Sequence, residues 1–202
     1  MPTTDASPRR ARPLAGGLER VREAGAILFA KQGYSGTNMR DLGVELGVQA
    51  PSLYHYVDSK QQILDEIVLG YFSSLRDALL DGLSLSDDCI ERARRGIEEQ
   101  SRFKLGHLDA MVVSERDRIH VSEPVGRRIS EYYDEFHDLW TDVVAQGVVD
   151  GRFSTPHIDI AVEVLIDLAG PRQIRALTRN DGVADAKLAY WFGDAAIQLL
   201  TK

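Results

Sequence analysis

The chain has 202 residues, 44% of them hydrophobic and 27% charged, with 24 Lys+Arg against 31 Asp+Glu and a formal net charge of −7. That is enough apolar material for one sizeable domain or two small ones, which excludes a compositionally disordered chain. No apolar run long enough to span a bilayer occurs, MPTTDASPRRARPLAGG lacks an apolar signal core, and the single cysteine, Cys89, permits no intrachain disulfide, so a cytoplasmic protein with a buried, inert thiol is expected.

The acidity is unevenly spread. Residues 1–60 carry eight Lys/Arg against six Asp/Glu, and the remainder carries sixteen against twenty-five, so the N-terminal part is net positive and the rest strongly negative. An acidic chain overall therefore leaves phosphate binding open to its first 60 residues, while arguing against general polyanion binding.

In chain order, residues 1–17 are rich in Pro, Gly, Ser and Arg and read as a disordered basic arm. Arg9, Arg10 and Arg12 there suit phosphates or a minor groove, and equally a solvated tail with no role. From Leu18 to Gln32 apolar residues recur at three and four, a core helix ended by Gly33, with Phe29 as a packing residue. Thr37 is read as the N-cap of a short helix carrying Met39, Leu42 and Leu46 on one face, and Gly47 stands where a left-handed C′ glycine is wanted. Gly43 inside that helix weakens it by up to about 1 kcal/mol unless close packing needs the space. After the turn, Ala50-Pro51 can open a second short helix, with Val48, Leu53 and Val57 inward and Gln49, Ser52 and His55 outward.

Asp58 is read as the cap of a long helix, with an apolar stripe from Ile63 to Leu79 wider than a small N-terminal domain needs. Its later half is expected to pack on a second domain, making it the mechanical link. Helices are expected over Asp87–Leu105, Asp109–Ile119 and Glu123–Val149. A further one follows Pro156 and is broken or kinked at Gly170-Pro171, and the last runs over Ala184–Leu200. No segment has strand periodicity. The fold class is therefore all-α, about nine helices: an N-terminal three-helix unit, a linking fourth helix, and a C-terminal bundle of five.

Two short helices about a glycine turn, the second showing small and polar residues to solvent, form the plan of a helix-turn-helix, whose bland counterpart is an ordinary helical hairpin. The stretch GYSGTNMRDLGVELGV followed by SLYHYVDSK resembles the DNA-binding domain of the TetR family of one-component repressors over about residues 18 to 70. Asn38 stands where that family usually has threonine, Gly43 where alanine is usual, and Tyr56-Val57 depart from its usual aromatic pair; Gln49-Ala50-Pro51 differ from its common small-residue start of the recognition helix, so no operator sequence carries over. The resemblance implies a DNA-binding domain over 18–78, with the helix-turn-helix at about 38–57, and an effector-binding and dimerisation domain over 79–202.

It implies further a ligand-responsive repressor that binds a palindromic double-stranded operator as a homodimer and is released by a small hydrophobic or acyl-CoA-like effector. In that reading Gln49, Ala50 and Ser52 reach base edges, with Pro51 beside them; Gln49 is suited to pair with adenine and Ala50 to touch a thymine methyl. Thr37, Tyr54, His55 and Lys60 hold phosphates, and Asn38 and Arg40 are second-rank candidates. The last two helices are the family's dimerisation surface, here with Ile160, Val164, Leu168, Leu188, Trp191, Ala195 and Leu199. An effector cavity is expected among Phe103, His107, Met111, Tyr133, Phe136 and Trp140, each of which also suits plain core packing. Arg127, Arg128, Arg172 and Arg175 suit an acidic or CoA-bearing effector. DLWTDVVAQGVVDGRF and the kinked helix after it resemble effector domains of repressors of lipid or steroid breakdown.

Other chemistry is poorly supported. Gly33-Tyr34-Ser35-Gly36 is one residue short of a nucleophile elbow, and no dinucleotide or Walker glycine pattern occurs. Asp134, His137 and Asp138 form at most half a metal site with no second copy, so neither a metal nor a cofactor is expected. The competing readings are a helical small-molecule-binding protein or enzyme that never meets DNA, and an activator of the same fold.

Overall fold

The long helix expected from Ile63 onward is the axis of the molecule. In the computed structural model, which describes residues 16–170, 173, 174 and 185–201, helices run in the order α1 (Gly17–Gln32), α2 (Met39–Leu46), α3 (Ala50–Leu53), α4 (Lys60–Ser84), α5 (Cys89–Gly106), α6 (Leu108–Arg116), α7 (Glu123–Val149), α8 (Ile158–Asp167) and α9 (Asp185–Thr201), with a 3₁₀ turn at Arg118–His120. The described residues contain no strand. The arm expected over 1–17 lies outside them as far as residue 15, and so do Arg172 and Arg175.

α4 packs on α1, α5, α6 and α7. Its apolar stripe, Ile63, Leu64, Ile67, Val68, Tyr71, Phe72, Leu75, Leu79 and Leu83, is buried along its whole length. The same rod thus belongs to both halves of the chain. At the α4–α5 crossing the backbones meet through Gly82, where a Cβ would lie 2.5 Å from the Arg95 carbonyl oxygen. Any side chain there would force the helices apart.

Two helix caps fall one residue later than expected. Asn38, not Thr37, caps α2: its side chain accepts from the Arg40 and Asp41 amides at 2.9 and 3.1 Å, and the Asp41 carboxylate accepts in turn from the Asn38 amide at 2.8 Å. This capping box contributes on the order of 1 kcal/mol. Thr37 cannot serve because it is buried and its hydroxyl donates to the Gly33 carbonyl at 2.9 Å. Similarly, Ser59 rather than Asp58 caps α4, accepting from the Gln62 amide at 3.1 Å.

On the far side, α9 lies along α5, and α8 packs on α7. Arg94 of α5 is ion-paired with Asp194 of α9. Leu188, Ala189, Phe192, Ala196 and Leu200 fill the core from α9, and Ala161, Val162 and Leu165 do so from α8. Cys89 is buried at the start of α5, where burial pushes its thiol pKa up.

Candidate nucleic-acid interface and effector cavity

The N-terminal unit presents one short turn of helix over an apolar floor. Leu42, Leu53 and Val57 are buried, Val48 packs half-buried beside them, and Gly47 turns the chain at φ 67. Gly43 is needed for this turn: a Cβ would sit 2.8 Å from the Val48 carbonyl oxygen and 3.1 Å from the Ala50 amide. The helix cost foreseen at Gly43 is therefore offset by close packing between α2 and α3.

Above the floor, Gln49, Pro51, Tyr54 and His55 are exposed, and Ala50 and Ser52 are half-buried. Gln49 is the extended N-cap residue of α3, with Pro51 in its first turn. The helix itself is only Ala50–Leu53, four residues. Tyr54 and His55 follow in the turn after it, so the outward set is a short ridge rather than a long rod. Arg40 is exposed on α2 and makes no ion pair among the described residues.

Three expected DNA contacts are otherwise occupied. Thr37 has no accessible side chain, which corrects the expectation that its hydroxyl meets a phosphate. The Asn38 side chain is the α2 cap. The Lys60 ammonium donates to the Tyr34 and Thr37 carbonyls, both at 2.8 Å, and lies 4.2 Å from the centre of the Tyr34 ring. Lys60 therefore ties the loop before α2 to the first turn of α4.

A polar clasp that the sequence did not announce joins this unit to the bundle. Asp117, buried at the end of α6, accepts from the Tyr34 amide at 3.3 Å and from Arg116 at 2.8 and 3.1 Å. Arg116 donates in turn to the carbonyls of Phe29 and Ala30 at the end of α1. Gln61 reaches the His120 carbonyl at 2.8 Å, the Ser122 amide reaches Asp65 at 3.0 Å, and the Tyr34 and His120 rings stack at 5.5 Å.

In the bundle, Tyr133, Phe136 and Trp140 of α7 line a cavity of about 60 Å³ together with Tyr71, Phe72 and Leu75 of α4, Gln100 and Lys104 of α5, Glu115 of α6, and Ile166, Asp167 and Gly170 at the α8 end. Phe103 and His107 do not join them. They stack on each other at 4.2 Å and face a separate cleft of about 200 Å³ between α1 and α4, on the other side of Tyr71. Met111 is fully buried and lines neither space. The expected effector set is thus divided by α4, because aromatic spacing along separate helices does not reveal which side of a neighbour each faces.

Sequence reasoning missed Lys104, Gln100 and Tyr71. Their signal was present as register: Ala93, Ile97, Gln100 and Lys104 repeat at three and four on the buried face of α5, so two polar groups occupy core positions. Burial lowers the Lys104 pKa to about 8 against the pull of Glu115 and Asp167, and burial chiefly raises those of Tyr71 and Tyr133. The Trp140 indole N–H has no hydrogen-bond partner among the described residues.

Across α8 and α9, Ile160 (62% exposed), Val164, Trp191 (45%), Ala195 and Leu199 (43%) are exposed, and Leu168 is half-buried. Leu188, expected with them, is 2% exposed and lies in the chain's own core. Among the described residues no helix is long and apolar enough to cross a membrane, and no group of three or more His, Cys, Asp or Glu is arranged to hold a metal.

Comparison with known proteins agrees on both halves. The profile described as bacterial regulatory proteins of the tetR family matches residues 21–67, and one described as the tetracyclin repressor-like C-terminal domain matches residues 86–170. The chain is 30% identical over 149 residues to the HTH-type transcriptional repressor KstR2 of Rhodococcus jostii, covering 71% of this chain and 72% of that one. Its fold matches the ketosteroid transcriptional regulator KstR2 of Mycobacterium tuberculosis with a TM-score of 0.83 at 20% identity, over 96% of this chain and 100% of that one. It also matches AibR, solved with isovaleryl coenzyme A and operator DNA, with a TM-score of 0.76 at 14% identity, over 92% and 98%.

Proposed function

The chain belongs to the TetR family of bacterial regulatory proteins and is a DNA-binding transcriptional regulator rather than an enzyme; from that premise we propose that it is a homodimeric repressor which reads a palindromic operator and lets go when a small hydrophobic or acyl-CoA-like effector enters its bundle. The observation that carries this reading is the ridge of Gln49, Pro51, Tyr54 and His55 standing outward over the buried Leu53. One such ridge spans too few base pairs for specificity, whereas a two-fold pair reads two half-sites. The exposed apolar edge of α8 and α9 suits the mating surface, since a solvent-facing tryptophan and isoleucine on neighbouring helices gain by being covered.

In this proposal the reading unit is 18–78 and the effector and dimerisation unit 79–202, with α4 shared between them. An effector acts by preferring one arrangement of the bundle over another. Its lever is α4, reinforced by the Asp117–Arg116 clasp that ties α6 to the end of α1. An acyl-CoA-like effector is supported by the AibR complex, a fold relative. Its entry between α4, α7 and α8 is supported by the cavity along Tyr133, Phe136 and Trp140.

The test is an electrophoretic shift with the promoter region adjoining the chain's own gene, repeated at about 50 and about 200 mM salt. Binding at the lower salt that weakens by about 10³-fold or more at the higher is expected for a dimer making at least roughly six phosphate contacts. Binding indifferent to salt, or none at either, contradicts it.

A further inference from the structure

Among the described residues, the cavity around Lys104 has a chemically specific lining. We infer that it seats a carboxylate against the Lys104 ammonium, so that the effector, whatever else it carries, is an acid whose charged end lies inside the bundle. This deepens the effector reading above and rests on it.

Lys104 is 6% exposed and makes no hydrogen bond or ion pair among the described residues. The groups that face it are Glu115 from α6, Asp167 from α8, Tyr71 from α4 and Tyr133 from α7. Both carboxylates belong to exposed residues, so their charge is spent mainly on water while the ammonium lies inside. A buried, unpaired cation is costly, and a fold of this size has apolar residues available for the position.

The rest of the lining is rich in donors. The Trp140 indole N–H can only donate and has no partner among the described residues, and the buried Gln100 amide lines the same space. The Tyr133 hydroxyl accepts from Arg118 at 3.2 Å and keeps its own O–H to give. Such a set complements a group that only accepts, and a carboxylate is a small biological anion of that kind. A volume of about 60 Å³ suits it: at about 30 Å³ per water in the liquid, the space takes a carboxylate and a short stub of chain. A neutral hydrocarbon would leave the ammonium and the indole N–H unanswered.

The experiment compares acetate, butyrate and octanoate with their matched amides by thermal unfolding of the full-length protein, in wild type, Lys104→Met and Lys104→Gln. The acids are expected to raise the wild-type melting temperature and the amides not. Lys104→Met should melt higher than wild type without ligand, because a buried charge is gone, and both variants should lose the acid response. Above a pKa near 8 the amine is neutral, so acid affinity should fall roughly 30-fold from about pH 7 to about pH 9.5.

Equal stabilisation by the amides, a response retained in Lys104→Met, or no acid-specific effect at any of the three lengths overturns the inference. Operator shifts on the same samples separate it from the regulatory reading. Acids that bind through Lys104 without altering DNA affinity leave the anion seat and remove the release mechanism. Amides that release DNA from Lys104→Met as from wild type do the reverse.

Discussion

A chain carrying both Trp191→Glu and Leu199→Glu is expected to run as a folded monomer and to bind operator DNA about 100-fold or more weakly, the order of avidity that joining two modest contacts confers. Both residues lie on the exposed face of α9 in the protomer and outside its buried core, so the substitutions leave that core in place. Helical content by circular dichroism should match wild type, while the mass by light scattering halves. Leu188→Glu is the contrasting control: that side chain is 2% exposed against the protomer's own core, and a charge there should unfold α9 rather than merely separate the two copies. A double variant that stays dimeric moves the mating surface away from α8 and α9. A monomer that binds as well as wild type removes two-fold reading altogether.

The second large effect is expected at the clasp between the two halves. Asp117→Ala should lower the unfolding free energy by about 2–3 kcal/mol, since it removes a buried carboxylate that satisfies one amide and pairs with one guanidinium. Arg116 would keep the Phe29 and Ala30 carbonyls but lose the group that aims it. Asp117→Asn, which retains an acceptor for the Tyr34 amide, should fall between the two. Urea unfolding measures the loss directly. If Asp117→Ala is as stable as wild type, the packing of α4 and of α1 on α6 holds the halves together and the clasp is incidental.

The architecture was largely legible from periodicity. The bounds of α7, Glu123–Val149, coincide with those expected, because its apolar register is unbroken from Val125 to Val144 and Asp150-Gly151 stops it. Gly47 was legible for an equally local reason, a left-handed turn. What was misread was decided by contacts distant in the chain. Thr37 and Asn38 are both capping residues, and the choice fell to Asn38 only because Lys60 and the Gly33 carbonyl draw Thr37 inward. Likewise, Phe103 and Tyr133 read as one aromatic set until Tyr71 of α4 is seen between their two spaces. The clasp joins Tyr34 to Asp117 across 83 positions, and nothing local distinguishes that aspartate from a solvated one. Lys104 lay between these cases: its place on the core face of α5 could be counted, but its burial depends on α4, α7 and α8 closing over it.

Selection of bound duplexes from a randomised pool, run in parallel with wild type, Gln49→Ala and Tyr54→Ala, tests the central claim most directly. Wild type should enrich a motif with two-fold symmetry, Gln49→Ala should relax preference at the same one or two positions in each half, and Tyr54→Ala should keep the motif while binding every duplex more weakly. Enrichment of an asymmetric sequence, of none, or of one that Gln49→Ala leaves unchanged would contradict the assignment of this ridge as the region of the molecule that reads DNA.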